Sequence, residues 1–268
     1  MKVRYESNAF GKVSSLKVVA GEAGGKTFLK VLSFTAPFKV MSPFYVPGGG
    51  VRVMPMMASA GILEGDRQKI YLETEPYTRM DYVSQSYEKL HKMKNGNARR
   101  ETNLKVGKKS VLLYRPLPVI PFGQSAFEGY TSICLEDCTS SLFYQEILTC
   151  GRVERGELFK YQYYHSIVEV RRGGRLVYRE NNRFGPAKND MDGIGMFEGY
   201  SCLANILLFC INASDYIEDI RSLIEGQKEI CGGVTLTADG DMAARILGNK
   251  TQKLLKICDL IFDIVHLR

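Results

Sequence analysis

Tryptophan is absent from the 268-residue chain, histidine occurs three times, and no apolar run approaches the length of a membrane span. Each shortage closes off a class of function. The longest apolar stretch, Leu203 to Ile211, is interrupted by Asn205 and falls far short of the ~20 residues that a spanning helix requires. The first residues, Met1-Lys2-Val3-Arg4-Tyr5-Glu6-Ser7, hold no apolar core that could act as a signal peptide, so the expected location is the cytoplasm, with no membrane partner. His91, His165 and His266 stand at no metal-ligand spacing, and no CxxC accompanies them. The cysteines number seven, an odd count that fits a reducing compartment without disulfide staples. Cys134 and Cys138 read as ordinary thiols on a strand and the turn after it. Neither Ser125 nor Ser201 lies in a GxSxG nucleophile turn.

A phosphate-binding loop is nearly spelled and then missed. GxxxxGK[ST] needs its first glycine where Ala20 stands, because Gly21 comes one place too late. Thr27-Phe28-Leu29-Lys30-Val31-Leu32 reads as a strand, whereas a helix N-terminus should face the anion. The segment is expected to be a glycine turn between two strands, and nucleotide binding by this chain is rejected. Pro47-Gly48-Gly49-Gly50 is expected to be a flexible connection.

What the chain does contain is a mild basic excess, a formal +7, and much of it is local. Lys92, Lys94, Arg99, Arg100, Lys105 and Lys108 crowd one segment, opposed only by Glu101. Arg171, Arg172, Arg175 and Arg179 form a second cluster. The first cluster lacks the interleaved aromatics of a nucleic-acid surface, which leaves a solvated loop or a docking patch for an acidic protein. Lys92, Lys94, Arg99 and Arg100 are the candidates for such docking.

From Lys26 to Ile211 the texture is short β-type runs punctuated by Gly, Pro and Asn, with no internal repeat or linker. Thr131, Ile133 and Leu135 alternate with Ser132, Cys134 and Glu136, the period of a half-buried strand. Further strands are expected at Thr27–Phe34, Lys39–Val46, Gln68–Glu73, Leu142–Leu148, Tyr161–Val170 and Leu176–Arg179. Leu104-Lys105-Val106 and Val111-Leu112-Leu113-Tyr114 flank Gly107-Lys108-Lys109, which looks like a hairpin. The pattern argues for an antiparallel β architecture over a doubly wound sheet. Helical spacing appears only late. Ile217, Ile220, Leu223 and Ile224 share one face of a helix starting near Ser214, and Leu254, Leu255, Cys258, Ile261, Phe262 and Val265 form a second stripe. One domain over 1–268 is expected, β-rich through 212 and helix-containing from 213 on.

Several segments, in order, resemble the urease accessory protein family called UreD, or UreH in some bacteria. They are Pro43-Phe44-Tyr45, then Ala58-Ser59-Ala60-Gly61-Ile62-Leu63-Glu64-Gly65-Asp66, then Ser84-Gln85-Ser86-Tyr87-Glu88-Lys89-Leu90-His91. Pro118-Val119-Ile120-Pro121-Phe122 follows, with Glu146, the Gly151-Arg152-Val153-Glu154-Arg155-Gly156-Glu157-Leu158-Phe159 element, and Ala244-Arg245-Ile246-Leu247-Gly248. Ser84-Gln85-Ser86, where the commoner form carries Pro-Gly-Ala, places the chain in a divergent branch. The resemblance implies a mainly β fold, a β-helix-like stack of antiparallel and mixed strands with two C-terminal α-helices. It further implies a non-catalytic maturation factor with no permanently bound cofactor and with nickel in transit. The implied partners are UreF, the GTPase UreG and apo-urease, in an accessory complex where the protein is dimeric. Asp66, Glu146 and Glu180 match the polar positions of an internal ion route in that family. The residues alone leave other readings open: Asp66 capping a turn, Glu146 facing solvent, and Glu180 pairing with Arg179. Glu88 reads as an ion-pair member and Glu157 as a turn-holding residue. A β-rich module that binds protein or polysaccharide, with no metal role, is the alternative function.

Overall fold

In the computed structural model, residues 5–6, 13–46 and 48–265 are described. Most of the N-terminal segment, Pro47 and His266, all noted above, lie outside the described residues.

The chain winds as a β-coil of two facing sheets. Successive runs alternate between layers: Arg67–Thr74, Ala98–Val106, Ala126–Leu135 and Tyr163–Arg172 lie side by side in one sheet. The intervening Arg79–Tyr82, Val111–Tyr114 and Ser141–Thr149 lie side by side in the other. Neighbours within these stacks are parallel, with Ala98–Val106 in unbroken register against Phe127–Leu135. The mainly β fold with mixed sheets is the one the resemblance implied, but within these stacks the antiparallel pairing argued from periodicity does not hold. Two-residue periodicity reports a half-buried strand but not its direction, and here the partner of each strand lies one coil away. The expected hairpin at Gly107-Lys108-Lys109 is for the same reason a corner. Ala98–Val106 enters it from one sheet and Val111–Tyr114 leaves it into the other. Gly107 fits there because a Cβ would sit 2.8 Å from the backbone oxygen of Thr74.

Antiparallel pairs close the ends of the stacks. Ser14–Ala23 pairs with Lys26–Thr35 through a turn at Gly24 and Gly25, which are both left-handed, as the glycine-turn reading required. Gly48 and Gly49 form a second tight turn, joining Phe44–Val46 to Gly50–Val53. The expected strand Lys39–Val46 is two strands, Phe38–Val40 and Phe44–Val46, in different sheets. Tyr163–Arg172 is followed by its hairpin partner Arg175–Phe184, and Ser141–Thr149 is flanked by Cys202–Phe209.

The C-terminal part holds both helices, α1 (Ile217–Glu225) and α2 (Thr251–Ile264). Ile220 and Ile224 of α1 and Leu254, Ile257, Cys258 and Ile261 of α2 are buried, as the stripes predicted. Between the helices lies an antiparallel pair, Ile230–Leu236 with Met242–Gly248, that the sequence reading did not anticipate. The helices cover the outer face of the second sheet, where Phe143, Ile147, Ala204, Ile206 and Leu208 pack against them. The inner faces of the two sheets enclose a separate core around Leu72, Leu104, Ile133 and Val170. No helix among the described residues is long and apolar enough to cross a membrane.

Candidate functional site

The space between the sheets is not filled evenly. Toward one end of the coil the apolar core gives way to a cavity enclosing about 150 Å³ of water-accessible space. Its second-sheet wall is a stack of phenols from three successive coils. Tyr82, Tyr114 and Tyr144 stand in register, with ring centroids 5.0 and 5.3 Å apart and nearly parallel planes. Burial holds the Tyr82 and Tyr144 phenols well above their ordinary value and pushes Tyr114 up to about 12, so they stay protonated. The opposite wall carries Arg100, Thr102, Gly129, Thr131 and Ser166.

Two ionised groups meet at one side of this cavity. Arg100 Nη1 donates to Glu88 Oε2 at 2.6 Å, and its Nη2 donates to the other carboxylate oxygen and, at 2.6 Å, to Gln68 Oε1. Arg100 was expected on an exterior docking patch, and this placement corrects that. On Ala98–Val106 the outward positions are Arg99, Glu101, Asn103 and Lys105, and the same alternation places Arg100 on the inner face with Ala98, Thr102 and Leu104. Burial works against its charge, yet Glu88 more than offsets this and leaves the guanidinium above its ordinary value. Lys92, Lys94 and Arg99 are exposed as expected, with Arg99 3.4 Å from Glu101. Glu88 is thus an ion-pair member, with Arg100 as its partner.

Glu146 closes the other side. It projects inward from Ser141–Thr149, and its carboxylate accepts from Tyr164 Oη at 2.5 Å, Ser166 Oγ at 3.2 Å and Tyr144 Oη at 3.4 Å. Burial raises its pKa, the Tyr164 bond opposes that, and the Glu180 charge raises it further. The solvent-facing alternative is therefore excluded. Glu146 also lines a constriction of about 10 Å³, roughly the room of a single water, with Ser166, Asn182 and Asn205. Asn205 is directly opposite Glu146 across the sheet, and Arg245 is directly opposite Asn205. Beyond the constriction, Asn205, Glu180 and Arg245 line a cleft. Glu180 pairs with Arg245 and accepts from Asn182 Nδ2 at 2.8 Å. Arg179, the partner proposed for it by sequence adjacency, points to the opposite face and meets Glu169 at 3.1 Å.

Glu146 and Glu180 thus line adjoining polar spaces that share Asn205, together called the path below. Asp66 is placed elsewhere. Its Oδ2 accepts from the Leu63 backbone N–H at 2.8 Å, closing the turn at Gly65, and it is not among the residues lining the cavity. Glu157 likewise holds a turn, gripping Arg152 and the Gly123 N–H, with the Arg152 bond chiefly responsible for a pKa lowered to about 2. The phenol stack, Tyr164, Ser166 and Asn205 were missed by sequence reasoning. The available signal was the recurrence of tyrosine at intervals of roughly thirty residues, one coil of the fold. Among the described residues no group of three or more His, Cys, Asp or Glu side chains converges to hold a metal ion, so the path offers isolated carboxylates, amides and hydroxyls.

Comparison with known proteins gives this path its context. The profile of the UreD urease accessory protein family matches residues 12–267. The chain is 38% identical to urease accessory protein UreD of Acetivibrio thermocellus, over 97% of this chain and 99% of that protein. It is 31% identical to urease accessory protein UreH of Helicobacter pylori over 95% of each, and 32% identical to UreD of Flavobacterium johnsoniae over 90% and 88%. With matches of this identity and coverage, the chain belongs to the UreD family of urease accessory proteins.

Proposed function

We propose that this protein is a non-catalytic scaffold for urease maturation that conducts nickel through its interior toward apo-urease. It works with UreF and the GTPase UreG in an accessory complex in which it is dimeric, and it keeps no permanent cofactor. The observation that carries the reading is the succession of three polar spaces, the first two sharing Glu146 and the last two sharing Asn205, from the Glu88–Arg100 side of the cavity to Glu180.

Its chemistry suits a relay. Oxygen donors hold a divalent transition metal less selectively than a thiolate or imidazole cluster would. Among the described residues no station gathers three His, Cys, Asp or Glu ligands, and weak successive sites permit onward movement. In the wide part of the cavity an ion keeps its water shell. At the constriction beside Glu146 there is room for about one water, so the carboxylate and the Asn205 amide replace lost water ligands. Burial disfavours the charged form of Glu146, and a cation beside it offsets that by favouring the carboxylate. Lys92, Lys94 and Arg99, exposed on one edge, supply a basic patch for an acidic partner surface.

The test is complementation. Cells that express urease and the other accessory proteins but lack this chain should contain nickel-poor, inactive urease, and restoring the chain should restore both nickel and activity. Full activity without the chain would refute the role.

A further inference from the structure

At the Glu180 end of the path the acceptor groups are already occupied, and the occupant is a side chain. Arg245 Nη2 pairs with Glu180 Oε1 and donates to Asn182 Oδ1 at 3.1 Å, while its Nε donates to Asn205 Oδ1 at 3.3 Å. One carboxylate and two amide oxygens, from Arg175–Phe184 and Cys202–Phe209, therefore converge on a single guanidinium. Such an oxygen set is what a hard or borderline divalent cation uses.

We infer that Arg245 is a built-in counter-cation, and that a divalent cation enters the Glu180, Asn182 and Asn205 oxygen set by displacing it. This rests on the path reading above and adds to it the means by which one end is kept closed. The contrast with Arg100 supports the assignment. The Arg100 side chain is 15% exposed and grips both oxygens of Glu88, so moving it would strand two buried charges. Arg245 is 48% exposed and stands in the mouth of a cleft, so its head can swing into water with little desolvation cost. Its partner Glu180, only 13% exposed, stays behind and faces the path. A guanidinium there repels any approaching cation until the carboxylate exchanges one positive partner for another. The closed state thus costs the protein no empty charged cavity.

The test reads nickel binding by the isolated full-length protein, so it does not depend on urease activation. Titration calorimetry with nickel sulfate is run on wild type, Arg245→Met, and Arg245→Met combined with Glu180→Gln. Methionine keeps the apolar stem and removes the competing charge. Arg245→Met should bind one nickel ion at least tenfold more tightly than wild type, and adding Glu180→Gln should abolish that gain. No gain in Arg245→Met, or a gain that survives Glu180→Gln, overturns the inference while leaving the maturation role untouched. Should Arg245→Met fail to fold, the wild-type protein decides. The Arg245 Nε–H resonance should shift on adding nickel and not on adding sodium, and an unmoved resonance under saturating nickel overturns the inference.

Discussion

Replacing Glu146 by glutamine tests whether a carboxyl is buried beside the constriction. The substitution keeps the shape and the Tyr164 bond but removes titration. In wild type, burial and the Glu180 charge raise the Glu146 pKa above its ordinary value of 4.5. A carboxyl whose folded-state pKa exceeds its unfolded value binds protons more tightly when folded. Its contribution is therefore most favourable below the unfolded value, declines as pH rises through the interval, and is fully unfavourable above the folded value. Each unit of elevation is worth about 1.4 kcal/mol between the two limits. Glutamine has no such dependence. Against it stands the loss of one charged acceptor for the Tyr164, Ser166 and Tyr144 hydroxyls, about 1–3 kcal/mol and nearly independent of pH above the interval. Urea unfolding of both proteins at pH 5, 6, 7 and 8 in metal-free buffer should show the variant gaining on wild type as pH rises through the weakly acid range. A difference that stays constant with pH, or moves the other way, would refute the buried-carboxyl assignment.

Three further outcomes follow from the same geometry. Glu157→Gln should flatten the acid limb of the stability profile, because the Arg152 pair contributes above about pH 4.5 and is lost as pH falls toward about 2; acid unfolding followed by circular dichroism reads this. Gly151→Ala should lower stability by about 2–5 kcal/mol, since φ there is +136° and a Cβ would lie 2.2 Å from the Glu157 carbonyl oxygen; Gly233→Ala, with no atom within 4 Å, should be near neutral in the same denaturant melts. Reversing the charges of Lys92 and Lys94 should slow association with UreF, the partner proposed above, and reduce its salt sensitivity in stopped-flow measurements, whereas unchanged kinetics would assign these lysines to solvent alone.

The strands and both helices were legible because their signal is local. Thr131, Ile133 and Leu135 are inward facing in the structure, and Leu254, Cys258 and Ile261 are buried along α2, as their spacing required. Strand direction and layer were not legible, because whether Val106 and Val111 sit in one sheet depends on a partner about thirty residues away. The coil repeat escaped detection because corner lengths vary, and only Tyr82, Tyr114 and Tyr144 keep its period visibly. The candidate site was legible in part. Glu146 and Glu180 line polar spaces inside the fold, but their surroundings come from elsewhere in the chain. Arg245 lies 65 residues from Glu180, and Tyr164 lies 18 from Glu146. The inward Arg100 was not legible because a charged side chain reads as exposed, whereas the half-buried Glu88 stabilises an inward guanidinium.

The central claim is that nickel travels between the two sheets past Glu146. The most direct measurement is the nickel content and activity of urease matured by a complex carrying both Glu146→Gln and Glu180→Gln, purified with UreF and UreG at wild-type stoichiometry. The path predicts an intact complex whose urease contains markedly less nickel and shows a matching loss of activity. Urease loaded to the wild-type level by that intact complex would contradict it.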